Sequence, residues 1–117
     1  MRRFHHIGLP TTEVQPNEIY VPDTKVYVTD VDAHPFKVEF LRYEDDSPTT
    51  GPLRELPHIA FETDSIAREL EGQEVLLEPF TPMPGMTVAF ILKDGAVFEF
   101  MEIEGSDLKS GCCCCGQ

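Results

Sequence analysis

Apolar positions along this chain recur mostly with a period of two, in runs too short for long helices, and the alternation predicts a domain rich in strands. Residues 4–9 read as a strand, with Phe4, His6 and Gly8 on one face and Ile7 and Leu9 on the face that buries. Pro10 ends it, and prolines at 16 and 22 exclude a long helix before residue 23, leaving a turn or two over 13–19. Residues 25–29 and 36–43 alternate as a strand pair around a turn at Asp30, Asp32 and His34-Pro35. In the second of these, Lys37, Glu39, Leu41 and Tyr43 share one face, and Val38, Phe40 and Arg42 share the other. Residues 44–56 are polar and rich in breakers, a natural linker and a candidate lid.

The second half is more regular. Residues 58–62 read as a strand, and Asp64 can cap a helix over 65–70 that Gly72 ends. Ile66, Ala67 and Leu70 give that helix an apolar stripe to lay on a sheet. Residues 74–77 read as a short strand and 79–85 as a proline-rich loop, where Phe80 and Met83 are candidate walls of an apolar pocket. Residues 87–92 and 96–103 form a hairpin around Asp94-Gly95, a strong short-range turn signal. This half is strand, helix and three strands; the first half reads as the same unit with its helix and second strand reduced to a proline-rich connection.

Two echoes tie the halves together. His6-Ile7-Gly8-Leu9-Pro10-Thr11 is matched in residue class by His58-Ile59-Ala60-Phe61-Glu62-Thr63, and Val38-Glu39-Phe40-Leu41 by Phe98-Glu99-Phe100-Met101. A lone histidine or glutamate in a strand carries no chemical inference, but both duplicated in the same order do. A carboxylate held among apolar neighbours costs free energy unless it is paired, hydrogen-bonded or metal-bound. If the halves pair about a pseudo-twofold axis, His6, Glu39, His58 and Glu99 meet in one cleft. Imidazoles with carboxylates suit a divalent Zn, Ni, Fe, Co or Mn ion. His5 is expected on the opposite side of its strand from His6, and His34 lies in a turn, so both read as structural or exposed.

Composition narrows the classes. At 117 residues, 41% of them hydrophobic and with eight Phe, the chain supports one compact domain. A net charge of -12 argues against nucleic acid and against anionic membrane surfaces as partners, and is compatible with an enzyme or with binding a cationic small molecule. No apolar run approaches the roughly 20 residues that span a bilayer. Met1-Arg2-Arg3-Phe4 is followed by His5-His6 where a signal peptide needs an apolar segment, so a cytoplasmic location is expected. All four cysteines are consecutive, at 112–115, a spacing that suits neither a zinc site nor a disulfide framework. Residues 105–117 are therefore expected to form a disordered tail. No phosphate-cradling glycine loop or Ser-His-Asp arrangement is present.

The residues Phe4-His5-His6-Ile7-Gly8-Leu9-Pro10-Thr11, Lys37-Val38-Glu39-Phe40-Leu41, Pro57-His58-Ile59-Ala60-Phe61-Glu62 and Gly95-Ala96-Val97-Phe98-Glu99-Phe100 resemble the vicinal oxygen chelate superfamily. That group includes glyoxalase I, methylmalonyl-CoA epimerase, bleomycin-resistance proteins and extradiol dioxygenases. The resemblance covers the chain to about residue 104. It implies an α+β fold of paired βαβββ modules, module one over about 1–46 and module two over about 57–104, joined by a linker at 47–56, with the first helix shortened or missing. It also implies a metal held by His6, Glu39, His58 and Glu99, and a lyase or isomerase acting on a small oxo compound through a metal-stabilised enolate. Glu99, then Glu39, would move the proton. The alternative it carries is a metal-free protein that binds an antibiotic; a dioxygenase ranks lower, because such members are generally much longer. Small members are often homodimers, which is the expected assembly, with a small-molecule substrate as the other partner. Arg42 and Arg54 are weaker candidates for meeting an anionic group.

Overall fold

A computed structural model describes residues 1–110. The chain is α+β and dominated by one eight-stranded sheet. Its strands are β1 (Arg2–Pro10), β2 (Ile19–Val21), β3 (Val26–Val28), β4 (Val38–Tyr43), β5 (His58–Thr63), β6 (Glu74–Met83), β7 (Met86–Lys93) and β8 (Ala96–Ile103). In space the order is β2-β3-β4-β1-β5-β8-β7-β6, so β1 and β5 lie side by side and antiparallel at the centre. β1 also pairs parallel with β4, and β5 parallel with β8. Val21 and Val26 at one end of the sheet face the same cavity as Leu77 and Phe80 at the other, so the sheet curls into a trough.

The two faces of the sheet are covered differently. The concave face carries the larger core, where Leu53, Ala60, Val88, Phe90, Val97 and Met101 pack together, and a smaller one of Val21, Val26, Val28 and Leu41. On the convex face the helix α2 (Ile66–Leu70) lays Ile66 on Ala89, Ile91 and Phe100. No helix lies between β1 and β2, which leaves the convex side of the first half without a comparable lid. Ile7 and Leu9 are therefore half-buried instead of core residues, and Ile59 is exposed. Further out, Arg42 spreads over the Tyr27 ring at 4.2 Å and pairs with Glu18, a polar layer on that side of the sheet.

Several local expectations are corrected by packing. The proline-rich connection contains a second strand, β2, which pairs with β3 through Ile19, Tyr20 and Val21. The proline-rich run after residue 77 continues β6 to Met83 instead of forming a loop. β6 is an edge strand, where a proline need not donate to a neighbour, and its register shifts are the accommodation. Ser65, not Asp64, caps α2, its side chain accepting from the Arg68 N–H, while Asp64 reaches the Arg68 guanidinium at 3.2 Å. Inside the linker a short helix, α1 (Pro52–Glu55), plants Leu53 in the concave core, so this segment is part of the wall. The β7–β8 hairpin turns where expected, at Asp94 and Gly95, both with positive φ. Beyond β8, a helical turn over Asp107–Ser110 docks with Leu108 buried and Asp107 on Arg3 at 2.7 Å. The cysteine run at 112–115 lies outside the described residues. Among the described residues no helix is long and apolar enough to cross a membrane.

Candidate metal centre

Strand register explains why four distant residues meet. Across the central antiparallel pair, His6 stands opposite Ala60 and Gly8 opposite His58. In the parallel pairs Gly8 neighbours Glu39 and Ala60 neighbours Glu99. Each small residue of the repeat thus lies beside a histidine on one side and a glutamate on the other, and leaves room for both. The demand is strictest at Gly8. A Cβ built there would lie 2.1 Å from His58 Cε1 and 2.4 Å from Nε2, so the imidazole occupies the space a side chain would take.

The result is a compact cluster of His6, Glu39, His58 and Glu99, whose potential ligand atoms all lie within 4.8 Å of one another. Glu99 Oε1 approaches His58 Nε2 at 3.0 Å and His6 Nε2 at 3.3 Å; Glu39 Oε1 stands 3.3 Å from His6 Nε2 and 3.9 Å from His58 Nε2. His6, His58 and Glu99 are buried, and Glu39 is 18% exposed at its side chain. The imidazoles are not on a face opposite the core, as alternation suggested, but share the concave face with it. The His58 ring meets Phe90 edge-on at 5.3 Å.

Close approach here is not satisfied hydrogen bonding. His6 Nε2, His58 Nε2 and Glu99 Oε1 are buried and make no hydrogen bond of acceptable geometry. Burial disfavours an imidazolium at His6, but the Glu39 and Glu99 carboxylates outweigh that and raise its pKa to about 9. Burial likewise opposes charge on Glu99, and His58 with His6 outweighs it, holding that carboxyl below the usual range. The donor set and geometry fit a divalent cation: the buried group could hold a metal ion.

His5 departs from its expected place. The β1–β5 register shifts between Phe4 and His6, and this bulge turns the His5 ring toward His6, with the two Nδ1 atoms 2.8 Å apart. A hydrogen bond on Nδ1 leaves Nε2 of His6 to face the cluster. The same bulge moves Phe4 off the His6 face and onto Phe61, at 6.5 Å between ring centroids. Two adjacent histidines were the only signal of this in the sequence, since a bulge is invisible to strict alternation. His34 sits at the end of a turn, where its Nδ1 accepts from the Phe36 N–H, away from the cluster.

Above the cluster lies a cavity of about 310 Å³. Val26, Val28 and Leu41 form one wall, and Phe80, Met83 and Phe90 the other. Phe80 and Met83 thus stand where the sequence suggested, though on a strand. Arg42 and Arg54 do not line the cavity: Arg42 is bound to Glu18 on the other face, and Arg54 lies over the Tyr43 ring at 5.5 Å.

No protein-family model and no curated protein matches the chain. Among solved structures it is similar to the crystal structure of a hypothetical protein from Bacillus halodurans C-125, at 20% identity over 90% of this chain and 96% of that one, with a TM-score of 0.67. At that identity the likeness shows the fold alone, a curled sheet with few helices.

Proposed function

We propose that this is a small metal-dependent protein of the vicinal oxygen chelate type, built of two βαβββ modules of which the first lacks its helix, acting as a lyase or isomerase on a small oxo compound. The observation that carries the reading is the convergence of His6 Nε2, His58 Nε2 and Glu99 Oε1, buried and without hydrogen-bond partners. Each such orphan costs about 1–3 kcal/mol, and one shared cation would offset all three. The mirrored strand order on either side of β1 and β5 supports the paired modules.

In this reading His6, His58, Glu39 and Glu99 hold a divalent Zn, Ni, Fe, Co or Mn ion. When bound, it supplies Lewis-acid stabilisation of charge developing on a substrate oxygen. The two carboxylates differ in what else they can do. Glu99 is buried between both imidazoles and kept ionised, which suits a ligand and makes a weak base. Glu39 is more exposed and lies farther from His58. We therefore assign Glu39, ahead of Glu99, the task of taking a proton from the carbon beside a carbonyl and returning it, while the apolar walls limit competing water.

The test is solvent deuterium incorporation into small 2-oxo compounds and thioesters, followed by NMR, with chelator-stripped and metal-reloaded protein. Exchange is expected only with reloaded protein and is expected to fall in Glu39→Gln. A protein that takes up no ion but binds bleomycin tightly would instead be a metal-free binder of a cationic drug.

A further inference from the structure

We propose that the cavity takes an uncharged, largely apolar small molecule that turns its oxygens toward the His–Glu cluster. This names the substrate class for the site above and rests on that metal-binding reading. It comes from the charges around the cavity. Among the described residues, no lysine or arginine lines it. Lys25 and Lys37 are tied to Asp46 and Asp32, and Arg42 to Glu18. A carboxylate, phosphate or sulfonate entering would lose its water and find no cation in exchange, which costs several kcal/mol per ion. The cluster does not replace that cation, because two carboxylates balance a divalent ion.

The acidic groups at the cavity are engaged as well. Asp30 accepts from the backbone N–H of Asp32, whose carboxylate holds Lys37 at 2.9 Å, and Glu39 and Glu99 belong to the cluster. No carboxylate is left over to hold a cationic substrate. What remains is mostly aliphatic and aromatic wall, broken by the neutral hydroxyl-bearing residues Thr24, Thr29, Thr49 and Tyr43, and it continues to the mouth through Ile19 and Met83, which line the cavity and yet are 54% and 37% exposed. They lie on β2 and β6, the two edge strands, so the entrance is apolar from both sides. At about 310 Å³ the space is at the small end for ligand sites, which suits a small molecule better than a long chain or a peptide.

Two dyes of one skeleton test this: neutral N-phenylnaphthylamine and its anionic analogue, anilinonaphthalene sulfonate. Both are titrated by fluorescence into zinc-loaded and chelator-stripped protein. The neutral dye is expected to bind at least about tenfold more tightly in both forms. Met83→Lys, at the exposed rim, is expected to tighten the sulfonate about tenfold and so narrow the ratio. Met86→Trp, which fills the cavity, is expected to weaken the neutral dye. Equal or tighter binding of the sulfonate to the unaltered protein overturns the proposal, and so does binding of neither dye. Failure of the metal reading would appear separately, as zinc leaving the melting temperature unchanged while the dye ratio holds.

Discussion

Replacing Gly8 by alanine adds one methyl group to the most crowded point of the cluster. In an ordinary strand position this change is favourable by roughly 0.5–1 kcal/mol, because glycine loses more backbone freedom on folding. Here the new Cβ would stand 2.1 Å from His58 Cε1, about 0.9 Å inside the 3.0 Å that real Cβ contacts respect. His58 has little room to retreat: it is 2% exposed, edge-on to Phe90 at 5.3 Å and 5.5 Å from the His6 ring. Overpacking of this kind costs about 1–3 kcal/mol, so the expected sign is opposite to the propensity.

A double-mutant cycle measured by urea unfolding, in chelator, isolates the contact. Gly8→Ala is expected to destabilise the unaltered protein by about 2 kcal/mol. In a His58→Ala background, where the ring is gone, it is expected to cost less than about 0.5 kcal/mol, a coupling well above the additive limit for independent sites. The displaced imidazole should also weaken zinc binding in the single variant. A Gly8→Ala protein as stable as the original, or one equally destabilised with and without His58, would refute the claim that the small residues of the repeat exist to seat the other strand's histidine.

Metal-free protein should show a defined pH response. His6 is raised to about 9, so its charged contacts with Glu39 and Glu99 stabilise fully below its ordinary 6.5 and are lost as pH rises through about 9. Glu99 is depressed, so its share is present above 4.5 and is lost as pH falls below that. Zinc needs a neutral imidazole, so the zinc-induced rise in melting temperature should grow between these two His6 values; a rise independent of pH contradicts the assignment. Glu99→Gln should lose more zinc affinity by calorimetry than Glu39→Gln, because both carboxylates stand 3.3 Å from His6 while Glu99 comes closer to His58, 3.0 against 3.9 Å; the reverse order would contradict the geometry. His5→Ala should lower zinc affinity about ten- to a hundredfold with little change in fold by circular dichroism, since His5 orients His6; unchanged affinity would make that contact incidental.

The parts of the fold legible in the sequence are those that depend on period and on turn chemistry. The His58, Phe98 and Asp94-Gly95 strands and turn follow directly from alternation and from the demand for positive φ. The site was legible through repetition alone, since no single residue among His6, Glu39, His58 and Glu99 stands out. What escaped depends on tertiary context. A bulge at His5 reverses the faces of Phe4 and His5, and local pattern carries no signal for it. The prolines near Phe80 look like a loop, yet an edge strand tolerates them. The role of Gly8 is set by β5, a partner about fifty residues away along the chain. The shielding of Leu53 depends on a core that assembles only when the linker folds back.

The most direct measurement is anomalous diffraction at the zinc absorption edge from crystals grown with zinc. Bulk metal analysis would count any ion held by the cysteines at 112–115 as well, and diffraction separates the two by position. One strong peak is expected among His6 Nε2, His58 Nε2 and the Glu39 and Glu99 carboxylates, about 2.0–2.2 Å from its ligands. No peak there, with density only elsewhere on the chain, would contradict the metal assignment.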